Sequence, residues 1–216
     1  MDDRERFIIR RFDPERDIDA AYRCYVSGFY HNMWPIIDHA EPRLIKDFML
    51  AFARAADAAF VAEVDGEAGG LLFGYFPARR GSLGRVVRTQ VVMHLKVLFC
   101  RYRMTPFARA AWWRVATGEL AYVVHLEKAP SEVLLLTSEK EHRGGIGRAL
   151  MDAWVKETES RGYNKIVVST DSTVSYGFYE RYGFQRVRDF PLKCFFYSMP
   201  GVDVHGYIYS LHIPPE

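Results

Sequence analysis

Apolar and polar positions alternate along the chain with helical, strand-like and continuous periods in turn, and each period predicts a class of element. Phe7 to Ile9 is a short strand-like run, and Asp13 with Pro14 supplies an N-cap followed by proline at the first helical position. Ile18, Ala21, Tyr22, Tyr25 and Phe29 then recur at helical spacing, which predicts a first helix. The prolines between His31 and Pro42 are expected to break it before a second helix from about Arg43 to Ala56. Ala59 to Val64 and Leu71 to Phe76 are apolar runs flanking Asp65-Gly66, the pattern of a hairpin. Val87, Val91, Leu95, Leu98 and Tyr102 share one helical face with Arg85, Arg88, Lys96 and Arg103 roughly opposite, so an amphipathic helix burying the apolar stripe is expected, with a further helix from Pro106 to Ala116.

Beyond Pro130 the pattern changes. Glu132 to Thr137 is nearly continuous in apolar residues, as in a strand buried on both faces. A glycine-rich turn leads into a helix marked by Ile146, Ala149, Leu150, Ala153 and Trp154 and ending near Arg161 and Gly162, and Lys165 to Thr170 forms a second buried strand. This is a βαβ unit. A short helix starting at Ser172 and stopped at Gly183 is expected next, then strands from Phe184 to Arg188, Lys193 to Met199 and Tyr207 to Ile213.

Composition narrows the function classes. With 216 residues, 49% hydrophobic and 26% charged, the chain is expected to fold as a single domain over 1–216. A net charge of +2 is too small for a whole-molecule polyanion binder, so no nucleic-acid partner is expected. Cys24, Cys100 and Cys194 form no CxxC pair, which suggests neither disulfides nor a metal site and makes the reducing cytoplasm the default location. No run is long and apolar enough for a transmembrane segment. Charge is uneven, however: from Ala68 to Gly118 there is no acidic residue, while arginines accumulate from Arg79 to Arg114. This basic island, about 79–118, reads either as a helical insertion with one solvated face or as a positive wall that attracts anionic groups, those of an acceptor or of an anionic membrane surface.

The most informative stretch is Glu141-His142-Arg143-Gly144-Gly145-Ile146-Gly147-Arg148, set between a buried strand and a helix. Glycines there let consecutive backbone N–H groups approach an anion at the positive end of the helix dipole, so a phosphate or pyrophosphate is the expected ligand. Neither a Rossmann nor a Walker fingerprint is present. The stretch resembles the acetyl-CoA loop of the GCN5-related N-acetyltransferases (GNAT), of the form Gln/Arg-x-x-Gly-x-Gly/Ala. His142 takes the first place in one register, and Arg143 takes it in a register one residue short. The segment Asp171 to Phe184 is similar to that family's second signature, ending in Tyr179-x-x-x-Gly183-Phe184.

The resemblance implies an α/β fold with a mixed, strongly twisted central sheet flanked by helices, the basic island being a helical insertion between the third and fourth strands. It implies an acetyl-CoA-dependent N-acetyltransferase, without a metal, that moves the acetyl group to a small-molecule or peptide primary amine by direct attack through a tetrahedral intermediate. The alternative is a noncatalytic acyl-CoA-binding or sensing protein, and a homodimer is possible in either case. Cofactor contacts are implied at Leu136, Thr137, His142, Arg143, Gly144, Gly145, Ile146, Gly147, Arg148 and Ser172, the pantetheine arm lying between splayed fourth and fifth strands. Tyr179 is implied as the general acid for the leaving thiolate. Glu132 is the base if Arg143 begins the loop; in the other register Ser131 falls at that place, with His125 or Glu119 as relays through water.

Overall fold

The computed structural model describes residues 7–139, 145–192 and 203–214. Strand β1 (Phe7–Arg11) is followed by helix α1 (Pro14–Ile37), where the Asp13 carboxylate caps the Glu15 N–H at 3.0 Å. The expected break after His31 does not occur: α1 continues through Pro35, which lies in the last turn and so forfeits only one helical hydrogen bond, and the Asp38 N–H closes the end on the Trp34 carbonyl at 2.9 Å. Helix α2 (Pro42–Ala55) leads to the hairpin of β2 (Ala58–Val64) and β3 (Glu67–Tyr75), whose turn has φ +49° at Asp65 and +88° at Gly66, the two positive values of a type I′ turn.

Between β3 and β4 (Ser131–Ser138) stands the helical insertion, α3 (Ser82–Leu98) and α4 (Pro106–His125), the latter running well past Ala116. Its stripe is reversed from the expected one. Val87, Val91, Leu95 and Leu98 are exposed, and Met93 and Val97 are the buried apolar positions; Tyr102 is buried, but in the loop after the helix. The reason is electrostatic as much as apolar: the Asp57 carboxylate, wholly removed from solvent, draws in Arg85 at 2.6 Å and Arg79 at 2.7 Å, and Asp47 takes Lys96 at 3.0 Å. Arg85 and Lys96 of α3 therefore turn toward the body of the protein, while Arg88 stays exposed.

The chain continues as α5 (Ile146–Glu159), β5 (Lys165–Asp171), α6 (Gly177–Tyr182), β6 (Gln185–Pro191) and β7 (His205–His212). The short helix begins at Gly177 rather than Ser172, and the strand expected at Lys193 to Met199 falls outside the described residues. The seven strands form one mixed sheet in the order β1-β2-β3-β4-β5-β7-β6, with β4 and β5 the parallel pair. Helices α1 to α4 contribute to a core on one face around Leu71, Phe73 and Leu135. Helix α5 covers the other with Ile146, Leu150, Met151 and Trp154. Gly70 permits that second contact, since a Cβ there would lie 2.6 Å from Ile146. No helix among the described residues is long and apolar enough to cross a membrane.

Candidate active site

The site arises from an irregularity in the middle of the sheet. β4 pairs with β3 through Leu135↔Phe73 and Val133↔Gly74, which leaves Leu134 as an extra, unpaired residue. Such a bulge bends the strand and re-aims the side chains on either side of it. On the opposite edge, β4 pairs with β5 only from Ser131↔Ile166 to Val133↔Val168. Beyond that point the strands part, and a cavity of about 840 Å³ opens between Leu134–Ser138 and Ser169–Asp171. Its floor includes peptide groups that no neighbouring strand uses.

One end of the cavity reaches the start of α5. Gly145 caps the helix with φ +99°, a left-handed conformation that favours glycine, and the first-turn N–H groups have no intrahelical acceptor. Gly147 lines the cavity, and a Cβ there would meet the Phe178 ring at 3.4 Å. Arg148, with its guanidinium 5.5 Å from the Tyr182 ring centre, and Arg181 add positive charge. These groups suit a phosphate-bearing ligand. Leu136 and Thr137 also line the cavity, although the Thr137 hydroxyl itself donates to the Cys24 carbonyl at 2.9 Å. His142, Arg143 and Gly144 lie outside the described residues. The Ile146 side chain is fully buried in the core, which leaves only its backbone N–H to face the anion, and Ser172 does not line the cavity, its hydroxyl accepting the His205 N–H at 3.1 Å.

Tyr179 both packs and lines the cavity: its ring stacks on Tyr209 at 5.8 Å and meets Phe184 edge-on, while burial raises its phenol above the ordinary tyrosine range. It thus holds its proton at neutral pH. Glu132 lines the cavity from β4 and accepts the Tyr75 hydroxyl at 2.7 Å; burial lifts its carboxyl to about 7 against the pull of that hydrogen bond. Glu119 lines it from α4, raised to about 7 by burial alone. His125 is elsewhere, exposed and stacked on Phe190 at 4.1 Å. Among the described residues the expected positive wall does not line the cavity: Arg85 is held by Asp57, and the carboxylate that the helical side contributes is Glu119. Leu134, Asn32, Gln90 and Arg181 are lining residues that the sequence reading missed. Only the apolar run from Glu132 to Thr137 was visible in advance, and neither a bulge nor an inward-facing amide leaves a periodic mark in it.

Residues 110–191 match the model of the acetyltransferase (GNAT) domain family, a span that begins within α4 and ends with β6. The polyamine N-acetyltransferase of Drosophila melanogaster superposes on the chain with a TM-score of 0.61 at 15% identity, covering 96% of this chain and 100% of that one. The chain has the GNAT fold. A Salmonella typhimurium structure described as an acetyltransferase with its cofactor acetyl-CoA (TM-score 0.56, 14% identity, 98% and 96% coverage) agrees, as does a ribosomal-protein-alanine N-acetyltransferase from Brucella melitensis (0.55, 14%, 95% and 99%). No curated protein matches by sequence. The parallel β4–β5 pair that opens into a wedge lies within the matched span.

Proposed function

We propose that the protein is an acetyl-CoA-dependent N-acetyltransferase acting on a primary amine. The observation that carries this reading is that one continuous cavity joins the N-terminus of α5 to the wedge at Leu134 and to Glu132 and Tyr179. The pyrophosphate would rest on the N–H groups at Gly145 and Gly147, with Arg148 and Arg181 beside it. The pantetheine arm would occupy the place of a strand between β4 and β5, and an unpaired peptide N–H near the bulge would donate to the thioester oxygen as negative charge develops there.

In this arrangement Glu132 takes the proton of the acceptor ammonium, a task matched to its raised pKa. The amine lone pair then forms the N–C bond to give a tetrahedral intermediate; as the carbonyl re-forms the C–S bond breaks, Tyr179 donates its proton to the departing sulfur, and the second proton shed by the nitrogen as it becomes an amide returns to the Tyr179 phenolate, directly or through water. Titration calorimetry with acetyl-CoA and thiol release over a panel of primary amines test the reading. Wild-type binding that is abolished in Gly147→Glu, together with amine-dependent thiol release, is the expected result. Unchanged affinity in Gly147→Glu overturns the assignment of the anion site. Binding without turnover of any amine supports the noncatalytic alternative instead.

A further inference from the structure

The helical side of the cavity has a chemistry of its own. Helices α1, α2, α3 and α4 each send residues into it, and the aromatic ones are grouped: Tyr25 stacks on Phe29 at 4.9 Å and meets Phe48 edge-on at 5.9 Å. Glu119 lies among them, near enough that its charge raises the phenols of both Tyr25 and Tyr122. Among the described residues no lysine, arginine or histidine pairs with this carboxylate, although it is partly withdrawn from solvent in the cavity wall. A carboxylate set in such a wall without a counter-charge is costly, and a cation is what relieves it.

Two amide oxygens repeat the message. Asn32 is only 6% exposed, its Nδ2 donates to Thr173 at 2.5 Å, and its Oδ1 has no partner; Gln90 Oε1 is likewise buried and unpartnered. Both residues line the cavity. The Asp171 carboxylate, bonded to Thr173, also lines it. The unmet valences on this wall are therefore acceptors, and the rings offer the electron-rich faces that attract cations. Glu119 and Glu132 are on different elements, α4 and β4, so one carboxylate can hold a charge while the other serves the reacting nitrogen.

We propose that Glu119, with the Tyr25, Phe29 and Phe48 rings and the Asn32 and Gln90 amide oxygens, forms a second cation site, and that the acceptor is consequently a primary amine carrying another positive group. This rests on the N-acetyltransferase reading, and the test separates the two. Initial rates with 1,4-diaminobutane and 1,5-diaminopentane are compared with those for n-pentylamine, in wild type and in Glu119→Gln and Gln90→Leu. Calorimetry of 1,5-diaminopentane with the CoA-bound protein runs in parallel.

In wild type, kcat/KM for the diamines should exceed that for n-pentylamine by ~10²-fold. Glu119→Gln should erase most of that preference, through KM, while acetyl-CoA affinity stays within about twofold. Gln90→Leu should weaken diamine binding less. Turnover of monoamine and diamine with equal kcat/KM in wild type, or a preference that survives Glu119→Gln, overturns the proposal and leaves the enzyme reading intact. Diamine binding that needs Glu119 in a protein that turns over no amine supports the cation site and overturns the enzyme reading. If neither turnover nor Glu119-dependent diamine binding is seen in a protein that binds acetyl-CoA, the cation site is overturned.

Discussion

Glu119 and Glu132 titrate near 7 in the folded protein because burial withdraws their charged forms from water, whereas an unfolded chain ionises glutamate near 4.5. The unfolded state therefore loses its protons first as pH rises, and each residue costs stability progressively between about 4.5 and 7, up to a ceiling of ~3 kcal/mol. Glu119→Gln and Glu132→Gln should match wild type in melting temperature near pH 4.5 and exceed it at pH 8; equal curves at both pH values would contradict their burial. Tyr179→Phe bears on the chemistry instead. Losing a positioned proton donor should lower kcat by ~10²-fold with acetyl-CoA affinity unchanged, as stopped-time assays and calorimetry can separate. At this scale sequence was informative where a motif or strand neighbour carried the residue, as with Tyr179, Gly145 and Glu132. It was silent on Asn32 and Gln90, amides on helices whose direction depends on how four helices meet.

Helix α3 shows what a hydrophobic period does and does not determine. The repeat of Val87, Val91, Leu95 and Leu98 correctly signals a helix, yet both of its sides carry apolar residues, and the choice between them is made by Asp47 and Asp57, remote in sequence. Val91→Lys, at a position 49% exposed, should change stability by less than ~0.5 kcal/mol. Met93→Ala, 2% exposed in the wild type, should cost about 2–4 kcal/mol in denaturant titrations. Arg85→Glu should destabilise by about 2 kcal/mol or more, since it sets a negative charge against the wholly buried Asp57, while acetyl-CoA affinity is preserved. The β-hairpin, by contrast, was legible because its Asp65-Gly66 turn is local and specifies its own geometry. The bulge at Leu134 was not, because it exists only in the register between β3 and β4.

Across the whole molecule, the βαβ segment from β4 to β5 was readable since its order and handedness follow from consecutive elements. The strand order β5-β7-β6 was not, because β7 inserts between two strands that precede it in the chain. The same topology divides the sheet mechanically. β1 to β4 make one plate and β5, β7 and β6 another, and the seam between them holds only the three residue pairs from Ser131↔Ile166 to Val133↔Val168. A ligand lying in the wedge would act as the missing rungs of a ladder, tying the plates along the length where they now stand apart. Unliganded protein should then breathe along this line, the plate of β5, β7 and β6 losing amide protection together at a free energy below that of global unfolding. Saturating acetyl-CoA should merge that partial opening with the global event in hydrogen-exchange mass spectrometry. The cleft that admits the substrate is thus also the crease along which the fold is weakest.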